Sequence, residues 1–235
     1  MAIPVEVDKT AAVSQLRFLI RDSLALSSSV YRRRVDGELQ YDGKRPGAHW
    51  HAHGYFSCQV WMLDGGRVVL VRLWKRRWLR VGTTRTCHSR PPDLLPGLRF
   101  CTLIVALKLW AWLDAEVGLH RYAEVFAALG ERGSRRSVQR WLRRLSPRAM
   151  EIQQAIRLAV IERCEPRPLE WIFPTGLDPP ERVRRKRWQD AKLVGRLWTA
   201  LAMLFGTSSD LMISPTILLA EARRRFDRRE KPTVE

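Results

Sequence analysis

Two amphipathic segments separated by a glycine-containing break occupy residues 120–145. The apolar side chains of the first segment recur with helical spacing, at Tyr122, Val125, Phe126 and Leu129. Those of the second segment follow the same spacing, at Val138, Trp141, Leu142 and Leu145. Positions i, i+3, i+4 and i+7 share one face of an α-helix, so each segment carries an apolar stripe that has to be buried.

The break between the two segments favours a sharp turn. Gly130 and Gly133 tolerate backbone conformations that other residues avoid, and Ser134 is a good N-cap for the second helix. We therefore predict a helix-turn-helix over residues 120–145, in which 134–145 is the recognition helix.

The second segment is cationic on its polar side, and from Arg132 to Arg148 the chain has seven arginines and no acidic residue. Recognition helices reach base edges with their first residues, which are here Arg135, Arg136, Gln139 and Arg140. The later arginines are placed to contact phosphates, namely Arg143, Arg144 and Arg148. The alternatives are a solvated helix face or another anionic partner.

Net charge also indicates a polyanionic partner. The chain has 42 lysines and arginines against 24 acidic residues, a formal charge of +18, and a pI near 11.0. Nucleic acid is the first candidate and an anionic membrane surface the second. The preference for arginine over lysine carries less weight, because a chain without asparagine is typical of GC-rich codon usage.

The sequence predicts a protein of the reducing cytoplasm, associated with the nucleoid. Its four cysteines, at positions 58, 87, 101 and 164, include no Cys-x-x-Cys pair and so no disulfide framework. The N-terminus lacks the basic start of a secretory signal. Lys108 interrupts the apolar run 100–112, and the run 197–205 is far shorter than the roughly 20 residues that span a bilayer, so we expect no membrane partner.

The chain reads as α+β, mostly α. Strand-forming residues on both sides of Asp64-Gly65-Gly66 predict a β-hairpin that begins at Gly54, whereas 36–47 and 82–97 read as irregular. Helices are expected at 10–26, 100–117, 147–163, from Pro180 to about 205, and 215–229. The predicted domains are an N-terminal helix (1–35), a ribbon-like hairpin module (36–98), a helix-turn-helix bundle (99–165) and a basic C-terminal helical extension (166–235).

Two further basic clusters are candidates for phosphate contact. The first lies between Trp74 and Trp78 and consists of Lys75, Arg76 and Arg77. Cations interleaved with indoles suit phosphates and stacked bases, although the tryptophans could instead cover the core. The second follows a proline pair and consists of Arg184, Arg185, Lys186 and Arg187, for which a solvated helix end is the alternative.

Several short motifs occur in a characteristic order: His53-Gly54-Tyr55 opens the hairpin, Asp64-Gly65 forms its turn, and Arg85-Thr86 leads to Leu94-Leu95-Pro96. They are followed by Ser137-Val138-Gln139-Arg140-Trp141-Leu142 in the recognition helix. Over about residues 50–165 the chain thus resembles the N-terminal regions of bacterial insertion-sequence transposases, in which a zinc ribbon precedes a helix-turn-helix.

The resemblance implies two pairs of zinc-binding thiolates, which this chain lacks. The first pair would lie within 36–52, which has no cysteine, and the second within 74–88, which has only Cys87. We therefore expect a ribbon without metal or other cofactor, held by packing of Trp50, Trp61, Trp74 and Trp78. The alternative is a residual zinc site that draws on His49, His51, His53, Cys87 and His88.

The motif His49-Trp50-His51 offers a catalytic alternative to DNA binding. Two histidines around a bulky apolar residue resemble the metal ligands of single-strand nicking enzymes, with Tyr122 or Tyr31 as nucleophile. That chemistry needs both imidazoles on one strand edge, whereas Pro46-Gly47 favours a loop. The chain also lacks a Gly-x-x-x-x-Gly-Lys loop, a His-Glu-x-x-His motif and a Gly-x-Ser-x-Gly motif, so we do not expect an enzyme.

The sequence therefore predicts a sequence-specific DNA-binding protein of a bacterial mobile element, either a transposition accessory, a remnant or a regulator. Its expected partners are double-stranded DNA, a transposase or other mobile-element protein, and a second copy in a homodimer. The alternatives are the metal-dependent nickase and an RNA-binding or assembly module.

Overall fold

The computed structural model of this protein describes residues 30–64, 67–95, 97–113, 135–163, 191–210 and 215–229. The fold is α+β. Its strands are β1 (Arg32–Arg33), β2 (Leu39–Tyr41), β3 (Trp50–Asp64), β4 (Arg67–Arg80) and β5 (Thr86–His88). Its helices are α1 (Thr102–Leu113), α2 (Arg135–Leu145), α3 (Ala149–Arg163), α4 (Ala191–Asp210) and α5 (Pro215–Arg229), with a 3-10 turn at Ser146–Arg148 between α2 and α3.

The long hairpin of β3 and β4 confirms the predicted reversal at 64–66. It pairs in antiparallel register from Trp50 opposite Arg80 to Asp64 opposite Arg67. β3 begins before Gly54, so the prediction of a loop around the histidines is wrong for His51. The strand contains a bulge between Ala52 and Tyr55, where its register against β4 shifts, and Gly54 adopts φ +78° there. The bulge lets the pairing with β4 continue on both sides of it.

β4 is the central strand of a five-stranded sheet, with β3 along one edge. On its other edge, β2 pairs in parallel with residues 73–75 and β5 pairs antiparallel with residues 77–79. The prediction that 36–47 and 82–97 are wholly irregular is therefore wrong. Three-residue strands show no usable period in a sequence, and they form here because β4 offers unpaired backbone groups along that edge.

The core is one cluster of buried side chains that includes residues of β3 and β4 and of all five helices, with α1 among its most deeply buried elements. This helix is buried on almost every side, including Ile104, Leu107 and Leu113, and it contacts α2, α4 and α5. Its start is fixed to the outer edge of β3, because the Trp61 N–H donates to the Arg99 carbonyl and the Cys101 N–H donates to the Trp61 carbonyl. Helices that are apolar all round are central in a fold, as α1 is here.

Lys108, which interrupts the apolar sequence of α1, is fully buried. Its Nζ lies 4.7 Å from the ring centroid of Phe100 and 5.7 Å from that of Trp141. Phe100 also packs edge-on against Trp141, with 5.1 Å between ring centroids. Aromatic faces stabilise a cation that has left water, so this contact lets a lysine occupy the core.

The apolar stripe predicted for the recognition helix is confirmed in α2, where Val138, Trp141 and Leu142 are buried. Helices α3 and α5 confirm those expected at 147–163 and 215–229. Helix α4 confirms the later part of the helix expected from Pro180 to about 205 but continues to Asp210, and residues 180–190 fall outside the described part. The predictions for 10–26, 120–129 and the intervening turn at 130–134 fall outside the described residues. In the segments that are described, every helix is too short or too polar to cross a bilayer.

We predict that Trp141→Ala lowers the free energy of unfolding by about 3–5 kcal/mol, because it leaves a cavity beside Phe100 and Lys108. Urea denaturation monitored by circular dichroism measures this change. The control is Arg140→Ala, which removes an exposed neighbour on the same helix and should change stability by less than about 0.5 kcal/mol. Equal effects of the two variants would contradict the packing of α2.

Candidate nucleic-acid interface

The solvent side of α2 carries a stripe of arginines. Arg136, Arg140 and Arg143 are exposed, and their spacing of i, i+4 and i+7 places them on one face, opposite the buried Val138 and Leu142. These three guanidinium groups make no hydrogen bond or ion pair with the described part of the chain. Gln139 is half-buried at the border of this stripe. The predicted outward presentation of Arg140 is therefore observed.

The other arginines predicted at this end of the interface have contacts within the protein. The Arg144 guanidinium lies beside Gly97, which has φ +66°, so closely that a Cβ on this glycine would stand 3.1 Å from Nη1. Arg148 forms an ion pair with Glu151 at 2.8 Å. Of the three arginines predicted here to contact phosphates, Arg143 is the most available for that contact. The side chain of Arg135 and the whole cluster at 184–187 lie outside the described part of the structure.

On the outer face of the sheet, cations and indoles of the predicted cluster contact other residues of the protein. Arg76 forms an ion pair with Asp42 at 2.8 Å and lies over the Tyr55 ring at 4.2 Å. The Trp74 indole N–H donates to the Glu38 carboxylate, and Arg72 lies 3.4 Å from the same carboxylate. These contacts occupy Arg76 and Trp74 with partners from the β2 region.

Neighbouring side chains stabilise the ionised form of Asp42. Burial raises the pKa of Asp42, but hydrogen bonds donated by Tyr55 and Gln40, together with the Arg76 charge, outweigh burial and hold that pKa below its usual value. Asp42 therefore stays ionised and neutralises the arginine beside it. The outer face of the sheet is, in consequence, less cationic than its sequence indicates.

The opposite face of the sheet forms a basic groove of about 740 Å³, which we call the sheet groove. Its lining includes Phe56, Lys75, His88, Arg90 and Arg99, and no acidic residue among those that the structure describes. Phe56 is 44% exposed, whereas Val60 on the same face of β3 is buried beneath the helices. The sheet extends beyond its helical cover, which leaves an aromatic ring among cations.

Phe56 lines the sheet groove and has cationic and aromatic neighbours there. The Nζ atom of Lys75 lies 5.4 Å from the Phe56 ring centroid, and the His88 ring lies 4.5 Å from it. Burial, followed by the charges of Lys75 and Arg77, lowers the pKa of His88. Arg77 is opposite His88 in the β4–β5 pairing, and its Nε is buried without a hydrogen-bond partner in the described residues.

Trp78, the second tryptophan of the predicted cluster, is also engaged within the protein. Its indole N–H donates to the Ser89 hydroxyl at 2.8 Å. The sequence left open whether Trp74 and Trp78 stack on bases or cover the core, and in the structure both indole N–H groups donate to other side chains. Both indoles are tied to protein groups, and the ring that stays available is Phe56, which the sequence did not single out.

Strand β4 separates the candidate zinc ligands His51, Cys87 and His88. His51 pairs with Leu79 on one side of β4, whereas Cys87 and His88 lie on the other side, opposite Trp78 and Arg77. Burial also raises the pKa of Cys87, which disfavours the thiolate that zinc requires. Within the described ranges, no group of three or more His, Cys, Asp or Glu residues could hold a metal ion.

The histidine pair named for nicking is divided between a turn and a strand. His49 is exposed in the turn before β3, while His51 lies within the strand and its ring is 6.5 Å from that of His53. Tyr31 is buried and donates to Asp93, and burial raises its pKa well above the ordinary value. A phenol held in its protonated form is a poor nucleophile. Tyr122 lies outside the described residues.

The fold and this surface define a basic α+β protein with an arginine-faced helix beside a cationic sheet. Comparison with protein-family models, with curated proteins and with solved structures found no match. The resemblance to insertion-sequence transposases therefore rests on the residues of the sequence.

We predict that His88 titrates below the ordinary imidazole value of 6.5. NMR of its ring protons measures this pKa directly. Removal of a neighbouring cation in Lys75→Met should raise the pKa, whereas Lys192→Met on α4 should leave it unchanged. A pKa at or above the ordinary value in the unsubstituted protein would contradict the geometry of the sheet groove.

Proposed function

We propose that this protein binds double-stranded DNA in a sequence-dependent manner, with α2 as its recognition helix and with no catalysis of its own. The main support for the proposal is that α2 has a buried apolar side and an exposed cationic side. Val138, Trp141 and Leu142 anchor the helix in the core, and Arg136 and Arg140 project from the opposite face. A rigid helix with exposed guanidinium groups has the form that enters a major groove.

Base reading is assigned to the first half of α2. An arginine can donate two parallel hydrogen bonds to the O6 and N7 atoms of guanine, which is the commonest specific contact in major grooves. Arg136 and Arg140 are exposed and suited to this contact, and the half-buried Gln139 lies at the border of the same face. Arg143, farther along the helix, is placed for the phosphate backbone.

The sheet groove extends this surface. It joins α2 through Gly97, which lines the groove and touches Arg144. Lys75, Arg90 and Arg99 supply further positive charge along it. Neutralisation of phosphates by such cations releases counterions from DNA and favours binding at low salt.

The helix-turn-helix and the mobile-element role belong to this proposal. A hairpin that reverses at 64–66 precedes α2 in the chain, which is the order expected from the resemblance to insertion-sequence transposases. We propose that packing has taken over the work of zinc in the ribbon. In support, Trp61 stacks on Phe100 with 6.1 Å between centroids, and the indole N–H of Trp78 donates to Ser89.

We predict that Arg140→Ala and Arg143→Ala affect DNA binding differently. Arg140→Ala should reduce discrimination between a selected site and random duplex by about 1–3 kcal/mol, because it removes a base contact. Arg143→Ala should weaken all sequences alike and reduce the salt slope by about 1, because it removes a phosphate contact. Fluorescence anisotropy over a salt series measures both quantities.

The control for these variants is Arg157→Ala, which removes an exposed arginine of α3 and should change neither quantity. Equal loss of specific and random binding in Arg140→Ala would exclude base reading by this residue. Stronger binding to structured RNA than to duplex DNA at the same salt would favour an RNA-binding module instead.

We predict that DNA binding strengthens as the pH falls through the ordinary imidazole value of 6.5. The free protein holds the pKa of His88 below that value, and a phosphate in the sheet groove would raise it. Because the complex then binds more protons than the free protein, acid favours the complex. Anisotropy titrations across this range should show the trend, and His88→Gln should flatten it while His51→Gln preserves it. A flat profile in the unsubstituted protein would exclude phosphate beside His88.

A further inference from the structure

A cavity of about 340 Å³ lies among the helices, and we call it the helical cavity. Helices α1, α2, α3, α4 and α5 all contribute to its wall. The volume falls within the range of about 300–1,000 Å³ that is usual for small-molecule sites. It is separate from the sheet groove in most of its lining, although Arg90, Leu95 and Leu98 line both.

The wall of the helical cavity is made of aliphatic side chains from every one of these helices, such as Val105, Leu145, Ile156, Leu201 and Leu219. Alanine occupies the wall on three helices, at Ala106, Ala155 and Ala222. Larger aliphatic residues at these positions would fill the space. Protein interiors are otherwise closely packed, so a cavity kept open by small residues from three elements suits an apolar occupant.

Among the described residues, four arginines line the same cavity, at positions 90, 144, 148 and 223, and no acidic residue does. Arg223 is only 6% exposed, and its Nη2 is buried. A guanidinium beside an apolar surface attracts an anion more strongly than one fully surrounded by water, and Arg223 is the buried arginine of this set. The cavity therefore combines a long apolar wall with positive charge.

We propose that the helical cavity binds a small amphipathic carboxylate, a molecule with an aliphatic body and one anionic head. The aliphatic wall would bury the body, and Arg90, Arg144 and Arg223 would attract the head, whereas Arg148 is already paired with Glu151. A nucleotide is disfavoured, since its base and ribose would find few hydrogen-bond partners. Among the described residues of the wall, the one neutral polar side chain is Thr102, which already donates to the Asp93 carbonyl at 2.8 Å. This site does not depend on DNA binding by α2.

Isothermal titration calorimetry of the full chain with hexanoate, octanoate and decanoate tests the proposal. Affinity should rise about fourfold per added methylene, which corresponds to about 0.8 kcal/mol per buried CH₂. Decyltrimethylammonium has the same chain with the opposite charge and should not bind. A lack of heat with decanoate, or equal binding of the cationic analogue, would overturn the proposal.

Two substitutions locate the binding. Arg223→Met keeps an aliphatic side chain and removes the buried charge, so decanoate should bind about tenfold more weakly, as expected for a lost charged hydrogen bond. The matched control is Arg224→Met, which changes the exposed neighbour and does not line the cavity. Similar losses in both variants would show that decanoate responds only to net charge, which would overturn the site.

Two further variants guard against a failure of Arg223→Met to fold. Arg144→Met changes an exposed lining residue and should also weaken decanoate. Ala155→Ile narrows the cavity and should weaken decanoate more than hexanoate. Thermal unfolding by circular dichroism confirms that each variant is folded. Unchanged decanoate binding in both variants would place the ligand elsewhere and refute the assignment.

Discussion

The contacts of Phe100 join the parts of this protein to one another. Its ring stacks on Trp61 at the edge of β3, meets Trp141 of α2 edge-on, and lies 4.7 Å from the buried Nζ of Lys108 in α1. One aromatic side chain thus connects the sheet, the central helix and the arginine-faced helix. The outward direction of the α2 arginines depends on this contact, because a helix can present a fixed cationic face only if its opposite face is held.

Positive charge is distributed unevenly between the two faces of the sheet. Glu38 and Asp42, which flank β2, neutralise Arg72 and Arg76 on the outer face. Within the described part of the chain, neither the sheet groove nor the exposed stripe of α2 has such an acid. Total charge predicts a polyanionic partner, whereas the location of two carboxylates indicates which described surfaces remain cationic.

Periodic features of this fold could be predicted, and contacts between distant residues could not. The hairpin and the buried stripe of α2 follow from spacing of apolar residues within one element. The engagement of Arg76 and Trp74 could not be foreseen, because Asp42 and Glu38 are more than 30 positions away. Phe56 was missed for a related reason. Its position indicates the core face of β3, but only the structure shows that helical cover ends between Val60 and Phe56.

β3 forms an outer edge of the sheet, and in the described residues its free side is met only near Trp61, by the segment that precedes α1. A long strand of this kind is a ready template for the backbone of another molecule. The bulge at His53 and Gly54 breaks the regular alternation of amide and carbonyl groups along that template. Such an irregularity disfavours the pairing of another strand with this end of the hairpin, which is one way in which sheet edges avoid association.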